Sequence, residues 1–186
     1  ETFYPHDLAK KAELHYASRQ VTAIEINGTF YRLQTPATFA KWRDETPDDF
    51  VFSIKAPRYI VTRRNLAEAA DSIQKFVASG VAELGSKLGP IMWQLPPTKA
   101  FDAAELRSFL TALPPLAGSQ RLRHALEVRH ESFRCSEFLE LAREANVATV
   151  FTHDPDYPQL ADVTGDFVYA RLRQAVASEP TGYSLE

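Results

Sequence analysis

Residues 21–27 read VTAIEIN, a short apolar and β-branched segment in which Glu25 and Asn27 share one face, because side chains alternate along a strand. Such a segment is typical of a β-strand. Five further segments of this type follow it: FVFSIKA (50–56), PIMWQL (90–95), HALEVR (124–129), VATVFTH (147–153) and FVYARLR (167–173). The chain is therefore predicted to contain six strands.

The stretches between most of these strands have helical spacing and recognisable helix starts. Residues 65–83 are predicted to form one amphipathic helix, because apolar side chains recur there at three- and four-residue intervals. The predicted N-caps are Asp7, Thr35 before Pro36, Asn65 with Glu68, and Asp102 with Glu105. Alternating strands and helices indicate an α/β fold with parallel strands.

Polar residues inside the strands favour a closed barrel over an open sheet. They share a strand face in four places: Glu25 and Asn27, Ser53 and Lys55, Glu127 and Arg129, and Tyr169 with Arg171 and Arg173. Charges on one face of several parallel strands need a shared interior, which a TIM-type barrel supplies. Neither G-x-G-x-x-G nor the P-loop motif occurs, so a nucleotide-binding open sheet loses support, and no cofactor is expected.

Four motifs in order resemble those of the YecE-like domain-of-unknown-function family: AIEINGTFYRLQTP (23–36), FSIKAPRYIVT (52–62), LGPIMWQLPP (88–97) and LEVRHESF (126–133). The resemblance implies a TIM-barrel-like fold with a first strand before Phe3 and a last strand after the point where this chain stops. Residues 1–186 are thus expected to form a single, incomplete barrel domain with six of the eight βα units. No function is implied, because the family is named for lacking one.

Two positions depart from the pattern of this family. Many relatives have Thr-His where this chain has Thr62-Arg63, and the usual Arg-x-His-Gly of the seventh strand is replaced by residues 171–174, RLRQ. A mechanism that relies on those histidines is not expected here.

Composition limits the cellular setting and the partners. The 186 residues carry a formal net charge of −3 and one cysteine, so a disulfide within the chain is excluded and nucleic-acid contact would need a local basic patch. No apolar run reaches the roughly 18 residues of a membrane helix. We expect a cytoplasmic protein without a membrane partner.

Three residues are candidates for acid–base chemistry: Glu25, Lys55 and Glu127. Glu25 and Lys55 lie on neighbouring predicted strands, where a carboxylate facing an ammonium can have shifted pKa values suited to proton transfer. A structural ion pair inside the barrel is an equally good interpretation of the same pair.

Seven further residues are candidates for ligand binding at the carboxyl ends of the strands: Asn27, Tyr31, Arg32, Arg58, Arg129, Asp154 and Arg171. Arg129 and Arg171 offer guanidinium forks for a carboxylate or phosphate. Cations outnumber carboxylates at these strand ends, which favours an anionic ligand. His130, His153 and Asp154 lack the spacing of a recognised metal motif, so no metal is expected.

Three functions remain open at this stage. The first is binding of a phosphorylated or carboxylated small molecule at the barrel mouth, with metal-independent acid–base catalysis. The second is nucleic-acid binding, or metal-dependent nucleic-acid processing by analogy with endonuclease IV-type barrels, where arginines and aromatic rings engage backbone and bases. The third is a non-catalytic partner-binding domain.

Overall fold

A parallel sheet of six strands lies at the centre of the structure, a computed structural model that describes residues 3–179 and 181–184. The strands, in chain order, are β1 (Ala23–Ile26), β2 (Val51–Lys55), β3 (Leu88–Gln94), β4 (Leu116–Ala117), β5 (Gln120–Arg121), β6 (His124–Glu127), β7 (Ala148–His153) and β8 (Tyr169–Leu172). The short β4 and β5 form a separate antiparallel pair, and the sheet order is β1-β2-β3-β6-β7-β8. All six predicted strands are confirmed, in sequence order across the sheet.

Helices connect the strands in the described part of the chain. The α-helices are α1 (Glu13–Ala17), α2 (Gly28–Tyr31), α3 (Pro36–Glu45), α4 (Arg58–Val61), α5 (Ala70–Val77), α6 (Ala103–Thr111) and α7 (Ser136–Glu144). Short stretches of 3₁₀-helix span Lys10–Ala12, Leu66–Glu68 and Glu131–Phe133, and a further 3₁₀ segment, Val81–Lys87, is kinked at Gly85. The alternation of parallel strands with helices confirms the predicted α/β class.

The two faces of the sheet bury different sets of side chains. Phe52, Ile54 and Trp93 point outward into the large apolar core beneath the helices, where the Trp93 ring meets Phe76 and Phe109 edge to face. A smaller apolar cluster fills the inner face near the amino ends of the strands and consists of Met92, Ala125, Ala148 and Val150. The inner face is thus apolar at only one end.

The helix predicted over residues 65–83 is shorter and broken. Asn65 caps a 3₁₀ turn by accepting a hydrogen bond from the Ala67 backbone N–H at 3.1 Å, and α5 then spans only Ala70–Val77. Gly80, at φ +115°, turns the chain into a second 3₁₀ stretch. The apolar spacing continues past this break, but a left-handed residue cannot belong to an α-helix.

The other predicted caps have mixed outcomes. Thr35 and Asp102 accept hydrogen bonds from the backbone N–H groups of Thr38 and Glu105, as predicted. Glu105 does not return the bond to Asp102; its carboxylate instead contacts Lys99 and the Leu66 backbone N–H. The prediction for Asp7 is wrong, since the first turns are preceded by Ala9 and Ala12 at their N-cap positions.

The sheet is strongly curled into a half-barrel. Side chains of β1 and β8, its two edge strands, meet across the concave inner face: the Tyr169 hydroxyl donates to Glu25 Oε2 at 2.8 Å. A flat six-stranded sheet would hold its edge strands more than 20 Å apart, at about 4.8 Å per strand. Within residues 3–179 and 181–184, no helix is long and apolar enough to cross a membrane.

Candidate functional site

Charged side chains replace apolar ones towards the carboxyl ends of the strands, on the inner face of the sheet. Five of them form what we call the charge cluster: Glu25, Lys55, Glu127, Arg129 and Arg171. Each comes from the carboxyl-terminal half of a strand or from the residues directly after it. Their side chains share the inner face because alternate strand positions face inward. The cluster contains three cations and two carboxylates.

Glu127 anchors the cluster from a fully buried position. Its Oε1 accepts a hydrogen bond from Arg129 Nε and its Oε2 accepts one from Arg171 Nη1, each at 2.6 Å. The glutamate side chain is 0% exposed, so both of its oxygens depend on these arginines for compensation. Glu127 therefore positions two guanidinium groups.

Arg171 spans the half-barrel. Besides Glu127, it donates to Gln94 Oε1 and to Glu25 Oε1, each at 3.1 Å. Burial opposes the charged form of this guanidinium, but the carboxylates of Glu127 and Glu25 outweigh burial and raise the pKa of Arg171. The arginine thus remains charged and holds β3, β6 and β1 to β8.

Tyr169 completes the contact between the two edge strands. Its hydroxyl reaches Glu25 Oε2, and it lies 2.7 Å from Ser53 Oγ on β2. Burial raises the pKa of Tyr169 well above its ordinary value, and the negative charge of Glu25 raises it further. The phenol is therefore protonated at neutral pH and serves Glu25 as a hydrogen-bond donor.

Lys55 occupies the last position of β2 and is only 9% exposed. Its ammonium lies 4.5 Å from the centroid of the Phe30 ring, a cation–π contact. Burial lowers the pKa of Lys55, and the positive charge of Arg171 lowers it further, while Glu25 and Glu127 offset part of this effect. Among the contacts of the described residues, no hydrogen bond or ion pair involves Lys55 Nζ.

Arg129 comes two residues after the end of β6 and contacts the loop that follows β7. Its guanidinium stacks 4.4 Å from the Tyr157 ring centroid, and Nη1 donates to the Tyr157 hydroxyl at 3.4 Å. The side chain is 13% exposed. Stacking on Tyr157 and pairing with Glu127 fix the plane of this fork.

The remaining predicted site residues lie outside these contacts. Asp154 pairs with Arg173 at 3.3 Å, and no described hydrogen bond or ion pair joins the side chains of Asn27, Tyr31, Arg32 or Arg58 to the cluster. All four are exposed, Tyr31 to 79%. The chain turns into α2 directly after β1 and into α4 soon after β2, which directs these side chains towards solvent.

Besides Phe30, Ser53 and Tyr169, three residues of the site were not among the predicted site residues. Gln94 could have been predicted from strand alternation, because it lies two residues after inward-facing Met92. In the sheet register it pairs with Glu127. Thr152 lies on the inner face of β7 in register with Arg171, is fully buried, and has a hydroxyl without a hydrogen-bond partner among the described residues. Tyr157 comes from a loop, and nothing in the local sequence marks it.

Metal-binding residues are not gathered at this site. Across residues 3–179 and 181–184, no group of three or more histidine, cysteine, aspartate or glutamate side chains is arranged to hold a metal ion. His130 instead contacts Ser132, and His153 contacts the Tyr183 hydroxyl. The chemistry available in the cluster is that of amine, carboxylate, guanidinium and phenol groups.

A curled parallel sheet with helices outside and charges inside defines an α/β protein of half-barrel architecture. Over residues 1–186 the chain matches the family model described as "Protein of unknown function DUF72". The chain belongs to the DUF72 family, which agrees with the resemblance noted from its motifs.

Curated relatives have names that describe no activity. The chain is 32% identical to the UPF0759 protein YecE of Escherichia coli K12 over 116 residues, which are 62% of this chain and 41% of that protein. It is 25% identical to the UPF0759 protein YunF of Bacillus subtilis 168 over 169 residues, which are 87% of this chain and 58% of that protein. The chain thus matches about half the length of these relatives, and its biochemical function is unknown, as theirs is.

Solved structures of the same family share the fold. A DUF72 family protein from Thermotoga maritima MSB8 superposes with a TM-score of 0.71 at 22% identity, covering 91% of this chain and 67% of that one. One from Enterococcus faecalis V583 gives a TM-score of 0.67 at 17% identity, with coverages of 90% and 72%. At these identities the likeness concerns the fold alone.

Proposed function

We propose that the charge cluster binds a small anionic molecule that carries a phosphate or carboxylate group, and that Lys55 and Glu25 exchange protons with it. The observation that carries this proposal is the charge balance inside the half-barrel. Three cations face two carboxylates, and both carboxylates are occupied by arginines and by Tyr169. The side chain of Lys55 is only 9% exposed, and its Nζ has no carboxylate contact among the described residues, so a bound anion would supply that contact.

The two arginines have different roles in this proposal. Arg171 is held in the centre of the cluster by three acceptors and sets the local positive potential. Arg129 donates only to Glu127 and Tyr157 among the described residues and is stiffened by its stacking on Tyr157, so it is the guanidinium that keeps more free N–H groups for an anion. Glu127 is fully buried between the two arginines and orients both, whereas Glu25 is 18% exposed, so the acid–base pair in this proposal is Lys55 and Glu25.

We also propose that the half-barrel is part of a complete (β/α)₈ barrel and that the chain contributes six of its eight units as one domain. The contact of Glu25 with Tyr169 across the sheet supports this, because two further strands between β1 and β8 would close a barrel of ordinary width. The greater length of the relatives supports it as well. Closure would place the charge cluster at the carboxyl-end mouth, where barrel enzymes hold their substrates.

Calorimetric titration of the full-length protein with inorganic phosphate at low salt tests the binding proposal. We expect binding in the wild type that is lost in Lys55→Met and weakened in Arg129→Met. Lys75, which is exposed on α5, provides the matched control, since Lys75→Met removes the same charge outside the cluster. Phosphate binding that is equal in all variants would overturn the proposal, and salt-sensitive binding of a DNA oligonucleotide in its place would favour nucleic-acid recognition.

A further inference from the structure

Three lysines of the described chain have largely buried side chains: Lys55, Lys87 and Lys99. Lys87 Nζ donates to the backbone oxygens of Arg43 and Thr46 at 2.6 and 2.7 Å. Lys99 Nζ donates to the Arg64 backbone oxygen at 2.8 Å and pairs with Glu105. These two lysines satisfy buried acceptors and tie segments of the chain together, which is a structural role.

Lys55 differs from both of these lysines. Its Nζ makes no such contact among the described residues and faces the ring of Phe30. Its side chain extends from the end of a strand into the concave face, where Arg171 and Arg129 oppose its charge. A buried amine whose charge is opposed by neighbouring cations has a larger neutral fraction at physiological pH than an exposed lysine. Neutral amines are nucleophiles.

From this contrast we infer that Lys55 is the nucleophile for an aldehyde or ketone, with which it forms an imine at the carboxyl ends of the strands. The inference rests on the proposed function, because it takes the bound molecule to carry a carbonyl group beside its phosphate or carboxylate. In this arrangement Arg129 holds the anionic group and the carbonyl carbon reaches Lys55 Nζ. The anionic ligand is thus assigned a chemical class, a carbonyl acid or a phosphorylated carbonyl compound.

The reaction balances without an oxidant or reductant. The lone pair of Nζ forms a bond to the carbonyl carbon, and the carbonyl oxygen takes up the displaced electron pair with protons. That oxygen leaves as water, carrying one amine hydrogen and one proton from solvent, while the nitrogen closes a C=N bond and keeps its second hydrogen. The product is an iminium ion with the same single positive charge as the original ammonium.

This conservation of charge suits the cluster. Glu25 and Glu127 act favourably on a positive charge at Lys55, and they act in the same way on the iminium. The neutral amine that attacks is favoured by burial and by Arg171, so the cluster supports both the nucleophile and the cationic product. Lys87 Nζ is instead tied to the backbone oxygens of Arg43 and Thr46, outside the charge cluster.

Reductive trapping tests the inference on the full-length protein. Glyoxylate, an aldehyde with a carboxylate, is incubated with the protein and sodium cyanoborohydride at pH 7, and modified lysines are located by peptide mass spectrometry. We expect a carboxymethyl group on Lys55 ahead of exposed Lys41 and Lys75, and loss of this fast modification in Lys55→Met but not in Lys75→Met. Modification of Lys55 no faster than of Lys41 and Lys75 would overturn the inference.

Two comparisons separate this inference from the proposed function. Glycolaldehyde, which has the aldehyde but no charge, should modify Lys55 more slowly than glyoxylate, and Arg129→Met should remove the difference. Equal rates with both aldehydes, together with no phosphate binding, would refute the anion site while leaving Lys55 as a carbonyl-reactive amine. Phosphate binding that depends on Lys55, without any trapped product, would refute imine formation and leave the anion site standing.

Discussion

Glu25 and Arg171 lie on the two edge strands of a six-stranded sheet, and yet Glu25 Oε1 and Arg171 Nη2 are 3.1 Å apart. The sheet is curled enough for one arginine to reach from β8 to β1 while also contacting Glu127 and Gln94. The charge cluster is therefore a structural tie across the half-barrel as well as the candidate site. Substitutions in it are expected to change both stability and binding.

Arg171→Met is expected to destabilise the protein by about 3 kcal/mol, because it leaves fully buried Glu127 with a single cationic partner. Equilibrium unfolding in urea measures this loss. Arg143→Met provides the control: Arg143 pairs with Asp162 at 3.5 Å, both side chains are nearly half exposed, and such pairs contribute less than about 1 kcal/mol. Similar losses in the two variants would show that the cluster does not hold the edge strands together.

Lys55→Met is expected to change how stability depends on pH. The folded-state pKa of Lys55 is lowered, so between that pKa and the ordinary value of 10.5 the unfolded chain binds more protons, and wild-type stability rises with pH. The methionine variant lacks this rise. It should therefore gain stability relative to wild type at neutral pH, with the difference shrinking as the pH approaches 10.5.

Urea unfolding at a series of pH values from neutral upward measures this difference. Only its pH dependence is diagnostic, since the altered side-chain packing in the methionine variant adds a constant that does not titrate. Lys75→Met, on the exposed face of α5, is measured in parallel as the control for removing a lysine outside the cluster. A pH-independent difference for Lys55→Met would mean that the lysine titrates normally in the folded protein.

His124 is expected to stay neutral at pH values where exposed histidines are charged. Burial lowers its pKa from the ordinary value of 6.5, with a smaller opposing effect from Pro114. Nδ1 accepts a hydrogen bond from Trp93 Nε1 at 3.1 Å, and Nε2 lies 2.8 Å from the Pro114 oxygen, which requires the Nε2–H tautomer. Below pH 6.5 the unfolded state binds the extra proton, so His124 makes stability fall as the pH falls.

Nitrogen-15 NMR of the imidazole rings reports the tautomer and the titration of His124 directly. Exposed His15, recorded in the same spectra, provides the comparison. Trp93→Phe removes the hydrogen bond to Nδ1 while keeping an aromatic ring on the outer face, and it should cost about 1 to 2 kcal/mol for the unsatisfied acceptor. A His124 signal that titrates together with that of His15 would contradict the buried neutral form.

The strands and the inward-facing charges could be predicted because both depend on local pattern. Glu25, Lys55, Glu127, Arg129 and Arg171 were recognised as sharing an interior, since strand alternation alone assigns their faces. Tyr157 could not be found in this way, because the course of the loop after β7 depends on tertiary contacts. Asn27 and Arg58 follow the right strands, but the chain enters a helix there and their side chains are exposed.

Helix ends were less predictable than strands. The apolar spacing of residues 65–83 predicts one helix, whereas two 3₁₀ stretches flank the short α5. Gly80 alone causes the break after α5. Its effect depends on its packing against Pro36, which is distant in sequence. Asp7 has the chemistry of a cap, but the first turn begins too far along the chain for it to act.

Gly80→Ala is expected to destabilise the protein more than Gly118→Ala, although both glycines have positive φ. An added Cβ at Gly118 meets nothing within 4 Å, so that substitution carries only the left-handed backbone cost of about 1 to 2 kcal/mol. At Gly80 the Cβ would lie 2.6 Å from Pro36 Cα, and the start of α3 must shift, which adds about 1 to 3 kcal/mol. Urea unfolding of the two variants side by side measures the difference. Equal losses of unfolding free energy in the two variants would mean that α3 moves away from the added Cβ at no energetic cost. The break after α5 would then depend only on the backbone conformation of Gly80.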